Sequence, residues 1–278
     1  MALFEWLPSR KTETTMSTVS PGVLDKSVLG SVLHLRLNRP ESKNAINHEL
    51  HEALGVALAE FNGDDSLLVA VISGAGDGFS AGQDLQALSR GETILPPDHP
   101  EWGFAGIARQ RIDKPVIAAV HGFAIGGGLE IALACDLLVS HDTARFALPE
   151  VTVGLFAAGG GVTRLAQQVP PKVAMAMALT GEALTGERAH HFGLVSHLVA
   201  QEEVVDRALE LAATISSMAP LGVAATKKLM DTLPYAPASS EAGWDGWDDH
   251  YRKVFFSNDA KEGVQAFVDK RPPKWSGS

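Results

Sequence analysis

Two glutamates in glycine-rich, apolar frames carry the chemistry this sequence offers. Glu130 closes Gly126-Gly127-Gly128-Leu129-Glu130, and Glu150 closes Phe146-Ala147-Leu148-Pro149-Glu150. Placing a carboxylate in apolar surroundings is costly unless something offsets it. Two of them in core-like segments read as an acid/base pair, one carboxyl giving a proton where the other takes one. The glycines add a second function. Gly126-Gly127-Gly128 follows a strand pattern and opens a helix, where free N–H groups point outward with partial positive charge. Gly76-Asp77-Gly78-Phe79-Ser80-Ala81-Gly82-Gln83-Asp84 offers similar amides on a loop running into a helix. Two amides converging on one oxygen make an oxyanion hole. Taken singly, the same glycines serve tight turns, Glu130 a helix N-terminus and Glu150 a solvated loop. Spacing alone does not unite the glutamates; a fold must.

Other chemistries fit less well. Gly78-Phe79-Ser80-Ala81-Gly82 matches the G-x-S-x-G nucleophile elbow, which would make Ser80 a hydrolase nucleophile. That elbow needs a strand leading straight into the turn, and Gly74-Ala75-Gly76-Asp77 intervenes. His48-Glu49-Leu50-His51 lacks the i, i+4 spacing of a zinc helix, and His190-His191 beside Phe192-Gly193 read as helix-end residues, so no metal is expected. Neither a G-x-G-x-x-G after a strand nor a Gly-Lys-Ser/Thr phosphate loop occurs. The single cysteine, Cys135, reads as a small buried hydrophobe.

The elements that must position these residues alternate between strand and helix. Val28–Leu37, Leu67–Ser73, Pro115–Val120 and Asp136–Ser140 read as strands. Asn47 caps a helix running through Leu50, Leu54, Leu58 and Phe61 to Asn62-Gly63, and Gly127–Ala134 reads as a second helix. The expected fold is therefore an α/β core over residues 23–200. Beyond residue 200 only helices are expected: Glu202–Met218, Pro220–Leu233, Ser239–Phe256 and Asn258–Lys270. The Trp244/Trp247/Tyr251/Phe255/Phe256 cluster gives that part apolar faces. Residues 201–278 are expected to form a helical module whose aromatics pack within the chain or on a neighbouring subunit, and residues 1–22 a flexible extension without a secretory h-region. The chain has 278 residues and a net charge of −10, which disfavours nucleic-acid backbone binding. The apolar run Val116–Val139 is broken by His121, Glu130 and Asp136, so it reads as buried in protein, and a cytoplasmic location is expected.

Several ordered motifs together resemble the crotonase (enoyl-CoA hydratase/isomerase) superfamily across roughly residues 25–275. They are Phe79-Ser80-Ala81-Gly82-Gln83-Asp84-Leu85, Lys114 to Ala124, Gly126 to Glu130, Ala134-Cys135-Asp136, Leu148-Pro149-Glu150, and Glu262 to Arg271. The resemblance implies a spiral of ββα units followed by a helical trimerisation module, assembled as a homotrimer or a dimer of trimers. It implies an enoyl-CoA hydratase with Glu130 and Glu150 as acid and base, and the N–H groups of Ala81 and Gly127 as the oxyanion hole. It places Arg39, Ala45, Gly82, Gln83 and Asp84 at the substrate, with Phe267 and Lys270 reaching coenzyme A from the same or a neighbouring subunit. Coenzyme A is part of the substrate, and no other cofactor is implied. Gln83, Leu85, Trp102 and Phe156 are candidate walls for the acyl tail. An isomerase and a crotonobetainyl-CoA hydratase remain open on the same fold. A serine thioester hydrolase and a non-catalytic acyl-CoA-binding protein are the readings of other classes. Many hydratases carry Gly-x-x-Pro-Gly-x-Gly-Gly after the second glutamate. Here Ala157 and Ala158 replace the proline and glycine, which bears on the substrate, because a methyl group disturbs a glycine-only backbone.

Overall fold

A computed structural model describes residues 22–92, 99–232 and 247–278. All but the last residue of the expected N-terminal extension, and the start of the helix expected from Ser239, lie outside the described residues. The segment expected as one strand over Val28–Leu37 is part of a hairpin, β1 (Leu24–Leu29) and β2 (Val32–Leu37), paired antiparallel. Gly30 at φ +63° turns the chain between them. A glycine in the left-handed region supplies the twist that a two-residue hairpin loop needs, and this turn was missed because apolar alternation runs through it.

From β2 onward, strands of the main sheet are parallel. The order is β1-β2-β3-β4-β6-β9, with β3 at Val69–Gly74, β4 at Val116–Val120, β6 at Leu137–Ser140 and β9 at His197–Leu198. Every residue of β3 is buried. Period-two alternation explains this: Ala70, Ile72, Ala118 and Val120 belong to one apolar cluster, while Val69, Val71, Ile117 and Ala119 belong to another. Helix α1 (His48–Gly63), capped by Asn47 through the Leu50 N–H, presents Leu50, Leu54, Leu58 and Phe61 to the first cluster. Helix α7 (Val204–Ser216) presents Val204, Ala208 and Ala212 to the second. The first helix beyond residue 200 thus completes the layering of the core rather than standing apart from it.

The second, three-stranded sheet has the order β5-β7-β8, with β5 at Phe123–Ile125, β7 at Arg145–Ala147 and β8 at Leu184–Thr185. It reveals the repeat. β4 leads to β5 and then to α3 (Gly127–Ala134); β6 leads to β7 and then, past a short turn, to α4 (Gly161–Gln168). The preceding repeat leads from β3 to single bridging residues and then to the short α2 (Leu85–Ser89). The bridges Ile46–Gln83 and Ser80–Ala124, both parallel, continue the stacking that pairs Phe123–Ile125 with Arg145–Ala147. Successive ββα units therefore wind as a spiral, each repeat's second extended segment lying on the last. Helices α5 (Pro171–Thr180) and α6 (Gly186–His191) flank β8, and α8 (Pro220–Thr232), α9 (Trp247–Phe255) and α10 (Asn258–Asp269) follow α7.

Candidate active site

The spiral stacks two glycine loops back to back. Gly82 lies at φ +84°, and a Cβ on it would stand 2.5 Å from the Gly127 nitrogen and 2.7 Å from the Ile125 carbonyl oxygen. Only a glycine permits both the backbone conformation and the approach. Behind this loop, Ser80 Oγ donates to the Asn44 carbonyl at 2.7 Å and accepts from the Gly82 N–H at 3.1 Å. Asn44, fully buried, donates from Nδ2 to the carbonyls of Ala75 (2.8 Å) and Gly78 (2.9 Å) and accepts from the Arg39 N–H at 3.0 Å. Ser80 is fully buried too. Its hydroxyl is a brace inside the loop, so it is no exposed nucleophile, and the elbow reading falls.

The amide expected from the first loop points elsewhere. The Ala81 N–H, expected to face the substrate, donates to the Lys43 carbonyl at 2.9 Å. The Gly82 carbonyl accepts from Ile46 N–H at 2.7 Å, and the Asp84 N–H donates to the Ile46 carbonyl at 3.0 Å. In an extended chain the N–H of the intervening residue points to the opposite edge. That residue is Gln83, and the opposite edge carries Gly127, whose Cβ position lies 3.3 Å from the Gln83 nitrogen. Gly127 opens α3, so its N–H has no acceptor within the helix. Among the described residues neither amide has a hydrogen-bond acceptor. The free, adjacent pair is Gln83 and Gly127; Ala81 is engaged elsewhere because it lies on the wrong edge of the strand.

Pairing of Ile125 with Ala147 sends the chain into α3 and into the Leu148-Pro149-Glu150 segment from the same edge. Glu130, in the first turn of α3, is 5% exposed, and its Oε1 accepts the Gly161 N–H at 2.8 Å. A Cβ on Gly159 would stand 2.5 Å from Glu130 Oε2 and one on Gly161 2.9 Å from Oε1, so those glycines let the backbone close around the carboxyl. Burial pushes the Glu130 pKa up to about 6; the N–H groups of Gly161 and Gly159 pull it down, and the Glu150 charge pushes it up. Glu150 begins a short 3-10 turn, Glu150–Val153, with Oε1 3.2 Å from the Cβ position of Gly126. Its Oε2 is buried without a partner among the described residues. Burial raises the Glu150 pKa as well. Two carboxyls held above their ordinary range thus flank the two free amides.

The sequence profile of the Enoyl-CoA hydratase/isomerase family matches residues 28–278. The chain belongs to this family. The crystal structure of an enoyl-CoA hydratase from Mycobacterium tuberculosis H37Rv superimposes with a TM-score of 0.87 at 39% identity, over 92% of this chain and 99% of that one. A carnitinyl-CoA hydratase structure from Mycobacterium avium gives 0.74 at 42% identity, covering 93% and 100%. The carnitinyl-CoA dehydratase of Escherichia coli O157:H7 is 42% identical over 252 residues, 89% of this chain and 96% of that protein. The protein is accordingly an enzyme of the enoyl-CoA hydratase type with the crotonase fold, built for hydration chemistry on CoA thioesters.

Against this family frame, the remaining expected residues fall into two groups. Arg39 Nη1 bonds the Ala45 carbonyl and lies 3.1 Å from Asp84 Oδ2. Asp84 also caps α2 through the Ala87 N–H at 3.0 Å. That N–H first, then Arg39, hold the Asp84 pKa below its ordinary value. These three residues satisfy one another and brace the loop that carries Gln83. Phe267 and Lys270 lie on and just after α10; Phe267 is 74% exposed, and Lys270 ends the helix at φ +53°. Of the expected acyl walls, Leu85 and Phe156 are 51% and 67% exposed, whereas Trp102 is buried with its ring stacked on His99. Ala157 and Ala158 are outside the left-handed region, which among described non-glycine residues holds only Lys43, Asn44, Ala105 and Lys270. Their methyl groups therefore impose no backbone strain. The roles of Asn44, Gly159 and Gly161 were missed. For Asn44 the clue was its type, since asparagine tolerates the left-handed conformation of a tight loop.

Proposed function

We propose that the enzyme adds water across the C2=C3 bond of a 2-enoyl-CoA thioester and catalyses the reverse dehydration. The thioester oxygen lies at the N–H groups of Gln83 and Gly127. Conjugation makes C3 electrophilic. As the water oxygen bonds to C3, the π pair shifts toward C2 and charge builds on the thioester oxygen as an enolate. Each aimed amide stabilises that charge by about 3 kcal/mol. Burial raises the Glu130 pKa to about 6 and the N–H groups beside it hold it from rising further, so near neutral pH Glu130 is ionised and takes the proton from water. Glu150, whose buried Oε2 has no hydrogen-bond partner among the described residues, delivers a proton to C2. The enolate collapses to the 3-hydroxyacyl thioester with atoms and charge balanced. The observation that carries this reading is the pair of raised carboxyls beside two unengaged amides.

Resemblance to a carnitinyl-CoA dehydratase and a carnitinyl-CoA hydratase favours a second substrate for the same step, crotonobetainyl-CoA. An isomerase would move one proton between C2 and C4 and needs only one carboxyl. Coenzyme A contacts along Arg39–Ala45, with Phe267 and Lys270 supplied across a homotrimer or a dimer of trimers, complete the proposal. The test follows conjugated-thioester absorbance and free thiol together on crotonyl-CoA and crotonobetainyl-CoA. Absorbance loss without thiol release is expected. Thiol release would mean hydrolysis, and neither signal would mean a binding protein without this activity.

A further inference from the structure

One aromatic ring outside every motif above lies between Gly127 and the Glu130 carboxyl. A Cβ on Gly127 would lie 2.4 Å from Phe104 Cζ and 2.5 Å from Cε1, so the ring tip rests on the residue that supplies one free amide. The other end of the same side chain, its Cβ, lies 2.9 Å from the Cβ position of Gly159, which is itself 2.5 Å from Glu130 Oε2. Phe104 thus spans the distance from the amide pair to the carboxyl.

The backbone holding it is unusual. Gly103, Ala105 and Gly106 lie at φ +66°, +54° and +69°. Ala105 is fully buried in that conformation, an arrangement that costs free energy and persists only where the surroundings over-determine it. They do so here. A Cβ on Gly106 would stand 2.4 Å from Gly55 Cα of α1. The Phe104 carbonyl accepts from Ala108 N–H at 3.0 Å, and Arg164 Nη2 on α4 donates to the Ala108 carbonyl at 2.7 Å. The backbone that carries the ring is therefore fixed by α1, α4 and its own turn.

We infer that Phe104 is a specificity-determining residue that closes the acyl end of the site and restricts the enzyme to acyl groups with a short extension beyond C3. This rests on the enoyl-CoA hydratase reading. With the thioester oxygen at Gln83 and Gly127 and C3 at Glu130, carbons one to three run beside this ring, and the chain beyond C3 leaves past its Cβ end, where Phe104 and Gly159 close on Glu130.

The test measures kcat/KM for straight 2-enoyl-CoA thioesters of four, eight and twelve carbons in the wild type, Phe104→Ala and Phe104→Leu. Wild type is expected to fall about tenfold or more from four to eight carbons. The eight-to-four ratio is expected to rise about tenfold in Phe104→Ala and by less in Phe104→Leu. Only the ratio is read, so a variant that merely loses stability leaves it unmoved. An unchanged ratio in both variants, or a wild type that takes twelve carbons as well as four, overturns the inference. A wild type that hydrates no enoyl-CoA sinks the hydratase reading itself, and this inference with it. Should Phe104→Ala not fold, Phe104→Leu alone decides, an unchanged ratio overturning the inference.

Discussion

Glu130 is the residue whose environment says most. Its folded-state pKa is raised from 4.5 to about 6, chiefly by burial. For a carboxyl the sign is direct: the protonated form suits the folded site, and stability is lost as pH rises through about 6. The rise corresponds to about 2 kcal/mol. Glu130→Gln has no charge to bury, so its stability relative to wild type should improve by about 2 kcal/mol between pH 4.5 and 7.5, read from denaturant midpoints. A constant difference across that range would contradict the burial account. Ser80 gives a second residue-scale outcome. As a brace between Asn44 and Gly82 it should tolerate Ser80→Ala with a stability loss of about 1–2 kcal/mol and a measurable hydration rate. A nucleophile would lose all turnover. The glutamate frames were legible in the sequence because a charge among glycines and apolar residues is conspicuous. The roles of Asn44 and Phe104 were not, since each depends on which distant backbone its side chain meets.

At the scale of elements, the two glycine loops work only as a pair. Gly82 at φ +84° backs onto the Gly127 nitrogen, and neither loop alone directs two amides at one point. Gly82→Ala would press a methyl group into that nitrogen, separating the amides. Turnover is expected to fall by about a hundredfold or more while the circular dichroism stays native; full activity would show that the pair does not act together. The helices α1, α3, α7, α8 and α10 were readable to within a few residues from caps and apolar spacing. The strands β5, β7, β8 and β9 were not, being two or three residues long and specified by their neighbours across the sheet. Ala81 was misassigned for a related reason. Which edge an N–H faces is set by the register of the Ile46–Gln83 bridge, which no local motif encodes.

The whole molecule joins the spiral to its last helices through α8. Lys227 Nζ lies 2.7 Å from Asp136 Oδ2 and 2.8 Å from the Lys114 carbonyl, and Asp136 Oδ2 also accepts the Val116 N–H at 2.7 Å. Lys227→Met removes one partner of a mostly buried charge and should cost about 2 kcal/mol, detected by thermal unfolding; no change would mean α8 is held by packing alone. Beyond α8, Phe255, Phe256 and Phe267 are 62%, 72% and 74% exposed, the apolar surface on which the proposed assembly rests. Among the described residues no single helix is long and apolar enough to cross a membrane; the pair formed by Gln201–Ser216 and Pro220–Asp231 is bent by 110°. The proposed catalysis depends on two carboxyls sharing one water beside two amides. Its most direct test is the turnover of crotonyl-CoA hydration in Glu130→Gln and Glu150→Gln, each purified and checked for native fold. Both variants are expected to lose about a thousandfold or more. A rate near wild type in either would contradict the mechanism.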